Sequence, residues 1–600
     1  MRYGKVILSV CLMLQVSGIK GQNQKIDPTL EVTRNFDASM LNIHKSLLST
    51  QINDSLARFN LDFNYTIFDK PYRDLYEFSP IPSVQIYSPL NVKHPVFLLK
   101  AGIHHPLAPE AELYIAPRLK NGNILSISFG YTGIYKEENA VKINDYGKME
   151  ADKNYDIPAH STSLQGKIDY RKYWKRGIFS LSGILNYGRD FYYGYNSSYF
   201  TGIENDYSQI GHSSYMRDNN SHRYNTAGVT MGVRSTGSKS SGIKFNYNLD
   251  ATYRHTSDKL FRENLNTNLS APQNRLKEDF IKVEGEFGPN FGRYNKFTIG
   301  FNSENVIYSG LQEYKYGIYE IIPQYTFESG RFTFKGGVKL SGRYKGKSGA
   351  DRFHNNIFAK ADALFEAVRR KLWLYGLIDG GNSINSYSSL LEQNRWIAPD
   401  MDLKATSVPF MAQAGIKGLA GSRFNYNLYV RFSAIEGLLQ YVYMGRNMLD
   451  AEYSNTKCFT AGFDMGYINN RLDIAGGLSY NSYTDVKKSL INKGKPFGMP
   501  PVQFYLKGEY NWRERIFAGL SLRYRDEIYV YDLFYSITQG SDSEIKAPGF
   551  VDLGVTLKYR LNRNFTLFAE GKNLLGKEMI LYPDYMDSGV SFGGGVLVKF

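Results

Sequence analysis

The sequence predicts an all-β chain: a transmembrane antiparallel β-barrel of about 22 strands, preceded by a short helical and proline-rich N-terminal segment. Three observations lead there. Apolar and polar residues alternate in runs of about 10 residues, the length a tilted strand needs to cross a bilayer. The connections between these runs alternate between short turns and long polar stretches. The last run, VSFGGGVLVKF (590–600), places Val590, Phe592, Gly594, Val596, Val598 and Phe600 on one face, opposite Ser591, Gly593, Gly595, Leu597 and Lys599. An open edge with such a face would invite aggregation, so the pattern calls for lipid on that face and a paired first strand.

Composition agrees. After the N-terminus no apolar run is long enough for a transmembrane helix. Tyr (48), Phe (37) and Gly (56) are abundant and Cys (2) is scarce. The mean hydropathy of -0.39 suits a barrel, which shows apolar side chains only at every second residue. The net charge of +15 is spread along the chain rather than clustered, which argues against a nucleic-acid partner. A polar lumen and contacts with lipid and lipopolysaccharide phosphates account for it instead.

The elements follow in order. Residues 1–21 read as a secretory signal, with Arg2 and Lys5 before an apolar core Val6–Val16 and small residues Gly18 and Gly21 near its end. Cys11 lies inside that core behind Val10, which does not fit a lipid-anchor signal, and Cys458 is left without an internal disulfide partner. Export without a spanning helix points to the outer membrane of a Gram-negative bacterium.

Residues 22–95 read as a separate lumenal or periplasmic segment. Asp37 caps an amphipathic helix with Leu41, Leu48, Ile52, Leu56 and Phe59 on its apolar side, and Pro71, Pro80, Pro82, Pro89 and Pro95 make the remainder an extended strap.

From residue 96 the barrel begins. In 243–254, Ile243, Phe245, Tyr247, Leu249, Ala251 and Tyr253 alternate with Lys244, Asn246, Asn248, Asp250, Thr252 and Arg254. The same contrast runs through 331–341 and 551–560. Short turns carry KNGN (120–123), ESGR (328–331), AGSR (420–423), INNR (468–471), WRER (512–515) and LNRN (561–564). Long polar stretches occupy 136–160, 191–219, 256–277, 381–405, 436–454 and 528–546. Short periplasmic turns and long external loops are the habit of outer-membrane barrels. Trp174, Trp373 and Trp512 lie beside basic residues at short turns, either as an aromatic girdle or as part of a ring that grips lipid phosphates.

No catalytic constellation is expected, so the chain does not read as an enzyme, and no cofactor is implied. GRYKGKSG (342–349) lacks the spacing of a phosphate loop. His104 and His105 should point apart, with no carboxylate cluster to complete a metal ligand set. The loop at 189–216 is rich in Tyr, Asn and Ser, and Tyr192, Tyr193, Tyr195 and Tyr199 are its candidate contacts for a sugar-like or other amphipathic ligand.

The last 54 residues, 547–600, resemble the C-terminus of TonB-dependent outer-membrane receptors. The resemblance rests on Tyr559-Arg560, the turn Asn562–Asn564, Asn573-Leu574, Tyr582-Pro583 and the Gly-rich final strand. It implies a 22-stranded barrel and transport of a bulky ligand. It also implies that Gly595, Val598 and Phe600 form the signal read by the barrel-insertion machinery. The plug motifs of that family do not occur in 22–95, and TLEVT (29–33) matches the TonB-engaging box only loosely. The expectation is therefore a plug-less variant: an uptake barrel or channel without TonB as an assigned partner. The alternative is a scaffold subunit of an outer-membrane assembly, secretion or surface-lipoprotein complex, with a lipoprotein or periplasmic partner.

Overall fold

The computed structural model describes residues 96–119, 122–197, 221–236, 245–261, 275–291, 295–347, 350–444, 447–484, 486, 494–539, 544–587 and 589–600. The signal and the 22–95 segment lie outside the described residues, as does Tyr199. Twenty-two antiparallel strands close into one barrel. The first, Phe97–His105, pairs with the last, Ser591–Lys599, from Leu98↔Lys599 to His105↔Phe592. That pairing removes the edge the final strand would otherwise present, and the expected strand number is the one observed.

Alternation fixes which face meets lipid. Leu249, Tyr253, Leu428, Val430, Phe432, Val555, Leu557 and Phe592 all lie exposed on the outer parity. The opposite parity is polar and carries ion pairs between neighbouring strands. Lys282 meets Glu304 at 3.3 Å, Lys339 meets Asp379 at 3.0 Å and Lys558 meets Glu509 at 3.0 Å. An apolar outer wall around a polar lumen makes this a transmembrane barrel of the outer membrane. Trp174 and Trp512 are exposed on the outer parity, as a girdle requires. Trp373 instead neighbours the outward Leu374 and takes the lumenal parity, so it does not belong to the girdle.

Phe600 joins the girdle at the closing seam. Its ring lies 6.2 Å from Phe97 and 6.3 Å from Phe565. Its carbonyl accepts from the N–H groups of Val96 and Phe97, and its own N–H donates to Phe97 O at 3.0 Å. Val598 pairs with Leu99 and Phe565 on the two flanking strands. Gly595 and Gly593 face the lumen. A Cβ on Gly595 would come within 2.7 Å of the Phe568 ring, and one on Gly593 within 2.3 Å of the His104 ring. Side chains from neighbouring strands lie flat across this seam because the glycines leave room.

The wall has two heights. Near the seam the strands are short: Ala108–Ile115 has 8 residues and Phe565–Lys572 has 8. Across the barrel, Phe424–Tyr443 and Leu449–Ile468 have 20 each, about twice what the hydrocarbon layer needs. This corrects the expected loop at 436–454, which is mostly strand. Above the lipid the outward side chains no longer need to be apolar, so the alternation that marks a strand fades there while the ladder continues.

The low side of the wall carries long connections. Among the described residues three contain their own hairpins: Glu137–Ile143 with Met149–Pro158, Ile528–Val530 with Ile545–Ala547, and Met579–Tyr582 with Tyr585–Asp587. Among the described residues two helices, α1 (Tyr387–Leu391) and α2 (Leu533–Gln539), lie in connections at this same, extracellular end.

Candidate functional site

The extracellular loops fold together over the barrel mouth and share one apolar core. Its members include Tyr192 and Tyr193, Tyr387, Leu390 and Leu391, Trp396, Ile397, Met401 and Leu403, Leu439, Leu449 and Tyr585, with Tyr308, Tyr314 and Tyr316 from the wall. Burying these side chains against one another gives the lid a core of its own, in the way a small domain has one.

The central element is the connection 384–405, between the strands Leu372–Ser383 and Thr406–Ala420. It opens with α1. Ser386 is the N-cap, and its side chain accepts from the N–H of Ser389. The helix is a single turn, too short to hold by itself, and the wall holds it. Tyr387, with no exposed surface, donates its hydroxyl to Asp258 Oδ2 at 2.5 Å. Ser388 donates both its N–H and its hydroxyl to Glu278, which also accepts from the Tyr308 hydroxyl at 2.7 Å. Tyr316 donates its hydroxyl to the carbonyl of Asn385.

The connection then crosses the mouth. Arg395 reaches Ser161 Oγ at 2.6 Å and Asp190 at 3.4 Å, on the fourth and fifth barrel strands, although the connection leaves from the thirteenth. Trp396 stacks on Tyr585 with centroids 4.5 Å apart and meets Tyr193 edge-on at 5.5 Å. Ala398 N–H donates to Leu449 O, and Leu449 N–H to Trp396 O, binding the connection to the tall side of the wall. Lys345 holds its return leg through Asp402 at 2.6 Å and Leu403 O at 3.0 Å.

Three inward acids on the wall, Asp190, Asp258 and Glu278, thus clasp one loop. Each is buried and each has a donor. Asp258 is further held by His222 Nδ1 at 2.8 Å, and the His222 ring stacks on Tyr192 at 4.8 Å. Tyr192 in turn donates to Ile397 O at 3.1 Å. A buried carboxylate without donors would cost several kcal/mol, so the clasp and the loop depend on each other.

A second knot joins three other loops. Asn196 Nδ2 donates to Asp532 at 3.3 Å and to Asp584 at 3.1 Å, all three buried. Burial, reinforced by the Asp532 carboxyl beside it, pushes the Asp584 carboxyl well above the usual carboxylate range.

Of the expected ligand tyrosines, Tyr192 and Tyr193 are buried in the lid core and Tyr195 is half-buried. Tyr193 donates to Met586 O at 2.9 Å. In this closed arrangement the first two serve as packing and hydrogen-bonding posts. The connection 381–405 read only as a polar stretch from the sequence; its run Trp396, Ile397, Ala398, Met401 and Leu403 was the signal of burial. His104 and His105 do point apart: His105 lies against Phe592 at 5.3 Å, outside, and His104 faces the lumen. The expectation that no carboxylates gather there is corrected, because Glu110 and Glu570 stand beside His104. Glu110 sits on the next strand of the same hairpin and Glu570 on a strand near the far end of the chain, so no local spacing completes the set.

No protein-family profile matches this sequence, and no curated protein matches it in sequence. Solved structures match in fold. The FrpB iron transporter from Neisseria meningitidis is 11% identical with a TM-score of 0.60, over 84% of this chain and 81% of that one. The ferric-catecholate import receptor Fiu from Escherichia coli K12 is 12% identical with a TM-score of 0.56, over 84% and 82%. The siderophore receptor PirA from Acinetobacter baumannii is 10% identical with a TM-score of 0.57, over 84% and 80%. These neighbours are transporters or receptors rather than enzymes. At such identities the likeness is one of fold, that of a TonB-dependent-receptor-like barrel.

Proposed function

We propose that this TonB-dependent-receptor-like barrel is an uptake receptor or channel for a bulky ligand, with an extracellular gate made of its own loops and no catalytic role. The observation that carries the reading is the clasp of Asp190, Asp258 and Glu278 on the 384–405 connection. A wide lumen needs closing, and a loop tied to the wall through three buried carboxylates has defined points at which those ties can be broken, although its apolar side chains also pack in the lid core. The iron and siderophore cargo of the structural neighbours supports import as the reaction class, and the ligand's chemistry is left open. Outer-membrane lipid and lipopolysaccharide around the wall, and the insertion machinery at Gly595, Val598 and Phe600, complete the proposed partners.

A second reading has its own support. The lid core is large and aromatic, more like a fixed surface than a hinge. A permanently shut barrel would serve as a scaffold subunit that docks a lipoprotein or periplasmic partner. Planar-bilayer recording separates the two. A gate predicts low conductance for the intact chain and long open events after Glu278→Gln with Tyr387→Phe. A chain that stays shut in both forms, and that co-purifies in mild detergent with a stoichiometric partner, refutes the gate and leaves the scaffold.

A further inference from the structure

On the lumenal side of the closing seam, four strands bring a histidine and three carboxylates together. His104 and Glu570 both pair across Gly593, while Gly102 pairs with both Glu110 and Gly595. One ligand atom each from His104, Glu110 and Glu570 lies within 4.8 Å of the other two. We propose that these three residues form a binding site for a divalent first-row transition metal of the zinc type.

The histidine is set as a ligand would be. Its Nδ1 lies 3.2 Å from Ala108 O and donates there. That bond fixes the tautomer and leaves the Nε2 lone pair facing the carboxylates. His104 is only 7% exposed, and Nε2 has no hydrogen-bond partner; its charged neighbour is Glu570 Oε2 at 3.7 Å. A buried imidazole nitrogen aimed at two acids, with nothing bonded to it, marks an acceptor held for a cation. The ring can lie there only because position 593 has no Cβ. One nitrogen and two carboxylate oxygens suit zinc and its neighbours in the series. Bonds of about 2.0–2.2 Å put tetrahedral ligand atoms roughly 3.4 Å apart, so small side-chain rotations close the site.

Lys100 is the built-in competitor. Its Nζ lies 2.9 Å from Glu110, 3.6 Å from Glu570 and 4.0 Å from Glu112. Glu112 gives it somewhere to go when a metal takes the other two. Lys572, 3.7 Å from Glu570, is the second ammonium group at the cluster.

The test uses the full-length barrel in detergent, stripped with chelator and titrated with Co²⁺, whose visible bands report low-coordinate ligation. One equivalent should bind with such bands. His104→Gln and Glu570→Gln should each lose the bands and weaken binding at least tenfold, and Lys100→Met should tighten it at least tenfold. Heat-modifiable migration on gels establishes that every variant is a folded barrel. The proposal is overturned if neither the parent nor Lys100→Met takes up one equivalent, or if His104→Gln binds as tightly as the parent. A Lys100→Met variant no tighter than the parent overturns the displacement by Lys100.

Discussion

Replacing Tyr387 by Phe removes one hydroxyl from the lid and nothing else. In the closed mouth that hydroxyl donates to Asp258 at 2.5 Å, and both residues have no exposed surface. Without it the Asp258 carboxyl keeps His222 as its remaining donor, 2.8 Å away. A hydrogen bond to a charged group is worth about 1.5–3 kcal/mol. If the bond forms only when the loop is docked, that energy leaves the closed state alone and the open fraction rises by roughly 10–150-fold. Tyr387→Ala also removes the ring from the core, at about 3–5 kcal/mol for an aromatic deletion. Hydrogen exchange read by mass spectrometry on peptides across 384–405 measures the opening. Exchange there should accelerate by that factor in Tyr387→Phe, and protection should be mostly gone in Tyr387→Ala. Peptides from the strands Phe550–Arg560 and Ser591–Lys599, on the far side of the barrel, should not change. A control at Tyr146, exposed at a hairpin tip, should be silent as Tyr146→Phe. Unchanged protection in both Tyr387 variants would refute the clasp. Faster exchange along the whole barrel would show that Tyr387 holds the wall and not a gate.

Three further outcomes are expected. Val555 is outward, four residues above the girdle residue Tyr559; at about 3.4 Å per residue and a tilt near 40° it lies roughly 10 Å inside a band of about 25 Å. Val555→Arg should therefore cost about 2–4 kcal/mol in denaturant unfolding from lipid, while the lumenal Thr556→Arg costs little; Leu249→Arg and Asn248→Arg should split the same way, and equal damage would mean a wrong register. Deleting Phe600 removes one ring of the seam girdle, so the yield of heat-modifiable barrel should fall while the barrel that does insert keeps normal lid protection; undiminished insertion would exclude it as an assembly determinant. Asp584 has its carboxyl held above the ordinary value of 3.8 in the closed lid. The closed state then binds the proton more tightly than the open one, so lid stability is full below about pH 3.8 and declines as pH rises toward the elevated value. Exchange of 579–587, corrected for its intrinsic rate, should quicken over that rise, and Asp584→Asn should flatten the dependence.

The wall was legible because lipid imposes a rule on every second residue. Phe550–Arg560 matches the alternating run read at 551–560 almost to the residue, since both its faces answer to one environment each. The rule stops where the lipid stops. Phe424–Tyr443 runs past Phe432, its last large outward hydrophobic, into Ile435, Leu438, Leu439 and Val442, which are buried by loops, and the alternation dissolves although the ladder does not. The resemblance at 547–600 located the seam and its terminal ring, but it carried no information about what covers the mouth.

The lid was illegible for a different reason. Its contacts join residues far apart in sequence: 129 positions between Tyr387 and Asp258, 110 between Ser388 and Glu278, 205 between Arg395 and Asp190. No local period encodes such pairs. What the sequence does hold is half of each pair. Asp190, Asp258 and Glu278 sit on the inward parity of strands near their extracellular ends, where a carboxylate facing an open, watery mouth would need no partner. In this protein all three are buried, and each is matched to a donor on one connection. An inward acid at the top of a strand and an apolar run inside a nominally polar loop are therefore two halves of one signal. Each half is ambiguous alone, and only closure of the barrel, which sets the fifth strand within reach of a loop from the thirteenth, brings them together. The same holds at the seam, where closure places Glu570 beside His104. In a barrel of this width, such clusters are made by the circle and not by the strand.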